Sequence, residues 1–231
     1  MAARKSFDWL AFDADDTLWD CQGHFERVMQ GLYTLLEPWA DRETAARELF
    51  ATERSNMPLL GYGTKAFTLS MIETALRVSN HEILGQQLVQ LQEDCYGLLR
   101  LPATPLPEVS DTLAELQRRG FHMAVFTKGE LLDQEHKLLR SGLQPFFEHV
   151  EITSDKTEHE FRQLCRHLRI DSERLFMVGN SLKSDIAPAL AIGATAAHIP
   201  FHITWELEHT ETFTHERLHH ITRFSQLLDL L

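Results

Sequence analysis

The sequence predicts an α/β fold: a doubly wound, Rossmann-like parallel sheet with a four-helix bundle inserted after its first strand. Past the proline-rich "LPATPLP" at 101–107, short apolar runs alternate with amphipathic stretches, the pattern of βαβ units whose helices cover both faces of a parallel sheet. Ahead of those prolines, apolar residues recur at helical spacing instead. The opening run "DWLAFD" would be a strand without a partner in a helical bundle, so it is assigned to the sheet.

Taken in order, the four helices are expected at 22–39, 41–57, 64–79 and 81–100. Phe25, Val28, Met29, Leu32, Leu35 and Leu36 share one face of the first; Ile83, Leu84, Leu88, Leu91, Cys95 and Leu98 share one face of the last. "LLGYGT" forms the loop between the second and third, and Pro102, Pro105 and Pro107 mark the exit from the bundle. The later strands are "FHMAVFT", "EHVEIT", "RLFMVGN" and "TAAHIP". The helices between them are "VSDTLAELQRRG", "ELLDQEHKLLRSG", "EHEFRQLCRHL" and "SDIAPALAIG", several closing on the glycine that favours a left-handed cap. The expected division is a core of residues 1–19 with 103–231 and an inserted helical domain of residues 20–102. There is no internal repeat.

At 231 residues and 43% hydrophobic content the chain supports one large domain, or a core carrying a smaller one. A net charge of −12 spread along the chain argues against binding a nucleic-acid backbone. Cys21, Cys95 and Cys165 lie far apart, with neither zinc-knuckle nor disulfide spacing. The basic start runs straight into aspartates, so neither a signal peptide nor a membrane span is expected. A cytoplasmic, soluble protein is the expectation.

Ligands of an open parallel sheet bind at the carboxyl ends of its strands. There the first strand delivers Asp13, Asp15, Asp16 and Thr17; the second Thr127, Lys128 and Gly129; the third segment Asp155 and Lys156; the fourth Asn180, Ser181 and Asp185. Each piece has an ordinary reading. Aspartates after a strand cap turns, a lone lysine is usually solvated, and "GNSLKSD" can cap a helix through Ser184 or Asp185. Four loops in chain order, each offering a group suited to phosphate chemistry, are harder to explain that way.

"FDADDTLW", "VFTKG", the "DK" of "TSDKTEHEF" and "FMVGNSLKSDI" resemble the four motifs of the haloacid dehalogenase-like superfamily, over residues 8 to 199, with a helical insertion where that family places its C1 cap. The resemblance implies a Mg2+-dependent hydrolase of a small phosphomonoester. Asp13 would be the nucleophile that forms an aspartyl-phosphate, and Asp15 the general acid and base. Thr127, Lys128 and Lys156 would bind the phosphoryl group. Asp13, Asp185 and the carbonyl of Asp15 would hold the metal, with Asn180 as a less typical ligand. Asp16 and Thr17 would shape the turn. Asn180 stands where the family commonly has an acid, which removes a charge from the metal shell. Thr157 replaces a frequent proline, and Lys128 a frequent asparagine.

True dehalogenases match less well, because they need no metal and lack the second aspartate. A sugar-phosphate mutase and a binding or regulatory protein with decayed catalysis are the alternatives. Two further features stand apart. Tyr62, Lys65 and Phe67 of "GYGTKAF" form either an inter-helix loop or a substrate clamp, and His198, His202, His209, His215, His219 and His220 crowd the C-terminal segment. His215 and His219 are expected to share a helix face, as solvated or capping residues before metal ligands.

Overall fold

The structure, a computed structural model, describes residues 7–231; the basic start, residues 1–6, lies outside the described residues. The chain forms two compact units, one built from the stretch up to Gln22 with Ala103–Leu231, the other from Gly23–Pro102.

The first unit is an α/β sandwich. Its strands are β1 (Trp9–Phe12), β2 (His122–Lys128), β3 (His149–Thr153), β4 (Leu175–Gly179), β5 (Thr195–His198) and β6 (Leu218–His220), in the order β3-β2-β1-β4-β5-β6. All five pairings are parallel. The strand order reverses beside β1, and the resulting crevice at the carboxyl ends of β1 and β4 is where such sheets bind ligands.

Strand alternation explains the two cores. Leu10 and Phe12 of β1 point into a cluster with Met123, Val125, Phe176 and Val178, while Ala11 points the other way with Ala124, Phe126, Met177 and Ala196. The first cluster is covered by α5 (Val109–Arg118) and by Leu138 of α6 (Leu131–Ser141), closed by Leu227 of α9 (Leu227–Leu230). The alanine-rich face is covered by α7 (Glu158–Leu168) and α8 (Ala187–Ala191). Gly120, Gly142 and Gly193 all take positive φ just past their helices, as their places in the sequence suggest.

The second unit holds α1 (Gln22–Leu36), α2 (Arg42–Leu60), α3 (Thr64–Val78) and α4 (Gly85–Leu98). Its core contains Leu32, Leu36, Leu49, Met71, Ala75, Leu91, Cys95 and Leu98. Asp41 caps α2 by accepting from the Thr44 amide at 2.8 Å. That helix runs through Pro58 to Gly61, whose φ of 70° ends it, three residues past the expected stop. The fourth helix starts later than expected, because Asn80 and His81 adopt positive φ and Ile83 and Leu84 precede it.

One expectation is corrected, and one of two open alternatives is decided for Phe67. The sheet has a sixth strand, so the segment around His219 is β6 rather than a helix, and His215 and His219 share no helix face. Three residues are too few for strand periodicity to register, and the pairing with β5 decides their conformation. Phe67 is buried in the helical unit against Phe25, with ring centroids 4.9 Å apart, so it serves packing rather than a clamp. Among the described residues the cysteines are free and buried, and no helix is long and apolar enough to cross a membrane.

Candidate active site

Asp13 is the first residue past β1, and its amide donates to the Val178 carbonyl of β4 at 2.9 Å, which seats it in the crevice. Its carboxylate is nearly buried and receives Lys156 Nζ at 2.5 Å and the Thr17 hydroxyl at 3.0 Å. The same lysine donates to Asp185 Oδ1 at 2.7 Å. Lys156 thus bridges two buried carboxylates. Burial and the neighbouring Asp185 push the Asp13 carboxyl up to about 7, against the pull of Lys156. Burial works against the Lys156 charge, and Asp13 and Asp185 more than reverse it, leaving the ammonium firmly protonated.

Local sequence explains the placement of Lys156. Thr157 caps α7 by accepting from the His159 amide, while Glu160 accepts from the Thr157 amide, a capping box that pins the preceding residue to the strand end. Asp155 accepts from the Lys156 amide at 2.8 Å. The threonine found in place of proline therefore shapes the loop by capping.

Asp185 lies in a π-turn, Leu182–Ile186, entered through Ser181. The Ser181 hydroxyl accepts from the Ser184 amide, and Asp185 Oδ2 accepts from the Ser181 amide at 2.9 Å. Such turns recur at functional sites. Asn180 Oδ1 also lies 3.2 Å from the Thr17 hydroxyl and shares its single proton with Asp13, so Thr17 sits between the first motif and the fourth.

Asp15 faces a different set of partners. Its carboxylate receives both contacts of Lys137 Nζ at 2.8 Å, Trp19 Nε1 at 2.7 Å and Gln134 Nε2 at 3.0 Å. Burial would raise its pKa, but Lys137 and these hydrogen bonds hold it below the usual carboxylate range. Gln134 Nε2 also approaches Thr127 Oγ1 at 3.1 Å and the Lys128 carbonyl at 2.9 Å, linking α6 to the end of β2. Asp16, with φ of 64°, accepts from the amides of Cys21 and Gln22 and so starts α1.

Lys128 donates to Ser184 Oγ at 2.8 Å and pairs with Glu208. Glu208 also accepts from Ser181 and Ser184, each at 2.6 Å. Burial opposes its charge, yet Lys128 and the two hydroxyls hold it at about 2.

The crevice therefore brings together Asp13, Asp15, Thr127, Lys128, Lys156, Asn180 and Asp185. Sequence reasoning missed Gln134, Lys137 and Glu208. The cue for the first two is spacing: Gln134 lies one turn from both Lys137 and the buried Leu138, although Leu131, Leu132 and Leu139 of the same helix are exposed. Glu208 sits in an aperiodic stretch with no such signal.

The donor set fits a hard divalent cation. Asp13 and Asp185 place two buried carboxylates against one ammonium, a deficit of one positive charge, and every donor is oxygen.

A model of the haloacid dehalogenase-like hydrolase family matches residues 7–193. The chain is 26% identical over 213 residues to a glyceraldehyde 3-phosphate phosphatase of Methanothermobacter thermautotrophicus, covering 87% of this chain and 89% of that one. It is 34% identical over 135 residues to a protein of the same name from Methanocaldococcus jannaschii, covering 56% and 57%. A haloacid dehalogenase-like hydrolase from Xanthomonas campestris superposes with a TM-score of 0.88 at 28% identity, covering 97% of this chain and 90% of that one. The chain belongs to the haloacid dehalogenase-like hydrolase family and is a hydrolase.

Proposed function

We propose that this hydrolase is a Mg2+-dependent phosphatase of a small phosphomonoester, acting through an aspartyl-phosphate on Asp13. The observation that carries the reading is Lys156 held between the buried carboxylates of Asp13 and Asp185. Two acids and one ammonium form a site that is short of positive charge and ready for a phosphate accompanied by a metal. Asp13, Asp185, the carbonyl of Asp15 and Asn180 would hold Mg2+, whose contribution when bound is to screen the anions from each other and stabilise charge on the transferring group.

In the first half-reaction an Asp13 carboxylate oxygen attacks phosphorus, the ester P–O bond breaks, and the leaving oxygen takes a proton from Asp15. In the second, Asp15 takes a proton from water as its oxygen attacks the acyl phosphate, releasing Asp13 and inorganic phosphate. In the resting arrangement Lys137 keeps Asp15 ionised, which pre-sets its role as base. A bound phosphate dianion repels that charge and raises its proton affinity for the acid role. Lys156 offsets the charge of Asp13 and phosphate, while the Thr127 hydroxyl and the Lys128 amide donate to phosphoryl oxygens. The helical unit 23–102 is proposed as the cap domain, and the names of the relatives point to a short phosphorylated aldehyde, glyceraldehyde 3-phosphate, as the first substrate to try.

The test is phosphate release from a panel of phosphorylated aldehydes, sugars and hydroxy acids, with and without Mg2+. Wild-type protein should turn over with Mg2+ only, and Asp13→Asn should lose at least about 10³-fold in kcat, the scale seen when a covalent nucleophile is removed. Absence of turnover on every substrate, or retention of activity in Asp13→Asn, would overturn the reading.

A further inference from the structure

We propose that His149, Glu151 and His167 form a second metal site, selective for a borderline transition cation such as Zn2+, on the edge strand of the sheet. His149 and Glu151 are two apart on β3 and so project from one face, alternating with the exposed Val150. His167 comes from the last turn of α7, the helix that follows β3 in sequence. His149 Nε2 lies 3.0 Å and His167 Nδ1 2.8 Å from the same oxygen of Glu151, Oε2. All three ligand atoms lie within 4.8 Å of one another.

The spacing suits a metal. A tetrahedral ion with ligands at about 2.0–2.1 Å needs them ~3.3 Å apart, so it would enter with only small adjustments. Two imidazoles and one carboxylate favour Zn2+, Co2+ or Ni2+ over Mg2+, which prefers an all-oxygen shell. The side chains of Glu151, His149 and His167 are 16, 30 and 54% exposed, which leaves a solvent-facing side for entry and for water ligands. His149 begins β3, whereas the loop bearing Lys156 follows its other end. The site is thus separate from the crevice, and an ion there would strap β3 to α7 on either side of that loop.

Chelator-treated full-length protein is dialysed against Zn2+ with Mg2+ in large excess, and bound zinc is counted by elemental analysis while the thermal midpoint is followed. The expected result is one Zn2+ per chain and a raised midpoint, retained in Asp185→Asn. His149→Ala and His167→Ala should each weaken binding by at least about tenfold. Co2+ should give visible absorption bands in wild type that vanish in Glu151→Gln, a shape-conserving variant, with folding of each variant verified by circular dichroism without metal. No bound zinc in wild type would overturn the proposal. So would binding that survives His149→Ala and His167→Ala, as expected if His198 and His220 or the crevice acids hold the ion.

Discussion

The carboxyl group of Asp185 packs directly on the α-carbon of Gly179: a Cβ added there would lie 2.3 Å from Asp185 Oδ2 and 2.5 Å from Asp185 Cβ. The last residue of β4 must be glycine because the carboxylate needs that space. Gly179→Ala should push Asp185 off Lys156 and cost about 1–3 kcal/mol of stability through overpacking. The Mg2+ concentration for half-maximal activity should rise by about 10- to 100-fold. A metal titration that leaves the half-saturation point unchanged would count against Asp185 as a ligand.

Lys137 and Asp15 form a second buried pair, with the Lys137 side chain 6% exposed and Asp133 another 3.7 Å away. Lys137→Met removes the cation and leaves Asp15 and Asp133 facing each other in a poorly solvated site. Breaking such a pair costs about 3–5 kcal/mol when both charges are fully buried, and the 28% exposure of Asp15 reduces the expected loss to about 2–3 kcal/mol. Urea unfolding measures it. Adding Asp15→Asn to Lys137→Met should recover part of the loss, and simple additivity of the two would argue against a coupled pair.

Apolar runs located β1, β2, β4 and β5 because these strands are largely buried, while the edge strand β3, with Val150 exposed, showed only as a short β-branched run. The residues at or after the ends of those runs meet in one crevice because all five strands are parallel. Asp13, Thr127, Lys156 and Asp185 were legible for that reason. Lys137 and Gln134 were hidden because charged and amide residues on an amphipathic helix read as its wet face, whereas α6 turns them onto Asp15. Glu208 and β6 depend on where the stretch after β5 folds back, a matter of tertiary pairing with no local periodicity. The histidines were misread by the same route: spacing suggested a helix at 215–219, while the trio His149, Glu151 and His167 converges only through the packing of α7 on β3.

Asp13 carries the pH dependence. With its carboxyl pushed up to about 7 by burial and Asp185, it is protonated below that pH and would release a proton on binding the proposed Mg2+. The logarithm of Mg2+ affinity should therefore rise with about unit slope as pH climbs toward 7 and flatten above it. At subsaturating Mg2+, kcat/KM should fall as pH drops through about 7, and saturating Mg2+ should move that limb lower, because the bound cation favours the ionised acid. Calorimetry in two buffers of different protonation enthalpy would detect the proton release, and a pH-independent affinity would show that Asp13 is already ionised without metal.

Glu208 neutralises Lys128 at the edge of the crevice, with both side chains mostly buried at 12 and 15% exposure. The pair uses up a cation that an anionic substrate would otherwise meet. Glu208→Gln keeps the shape and an oxygen for Ser181 and Ser184 while freeing the Lys128 charge. A free charge at this partly screened position is worth about 1 kcal/mol toward an anion, which corresponds to about fivefold. The expected result is a KM for phosphomonoester, and an inhibition constant for inorganic phosphate, each lowered by about fivefold with kcat little changed. The same substitution in a Lys128→Met background should have no such effect. If Glu208→Gln leaves both constants unmoved, Lys128 braces Ser184 and the π-turn instead of meeting substrate, and the variant should then show its effect as a rise in the Mg2+ requirement through Asp185.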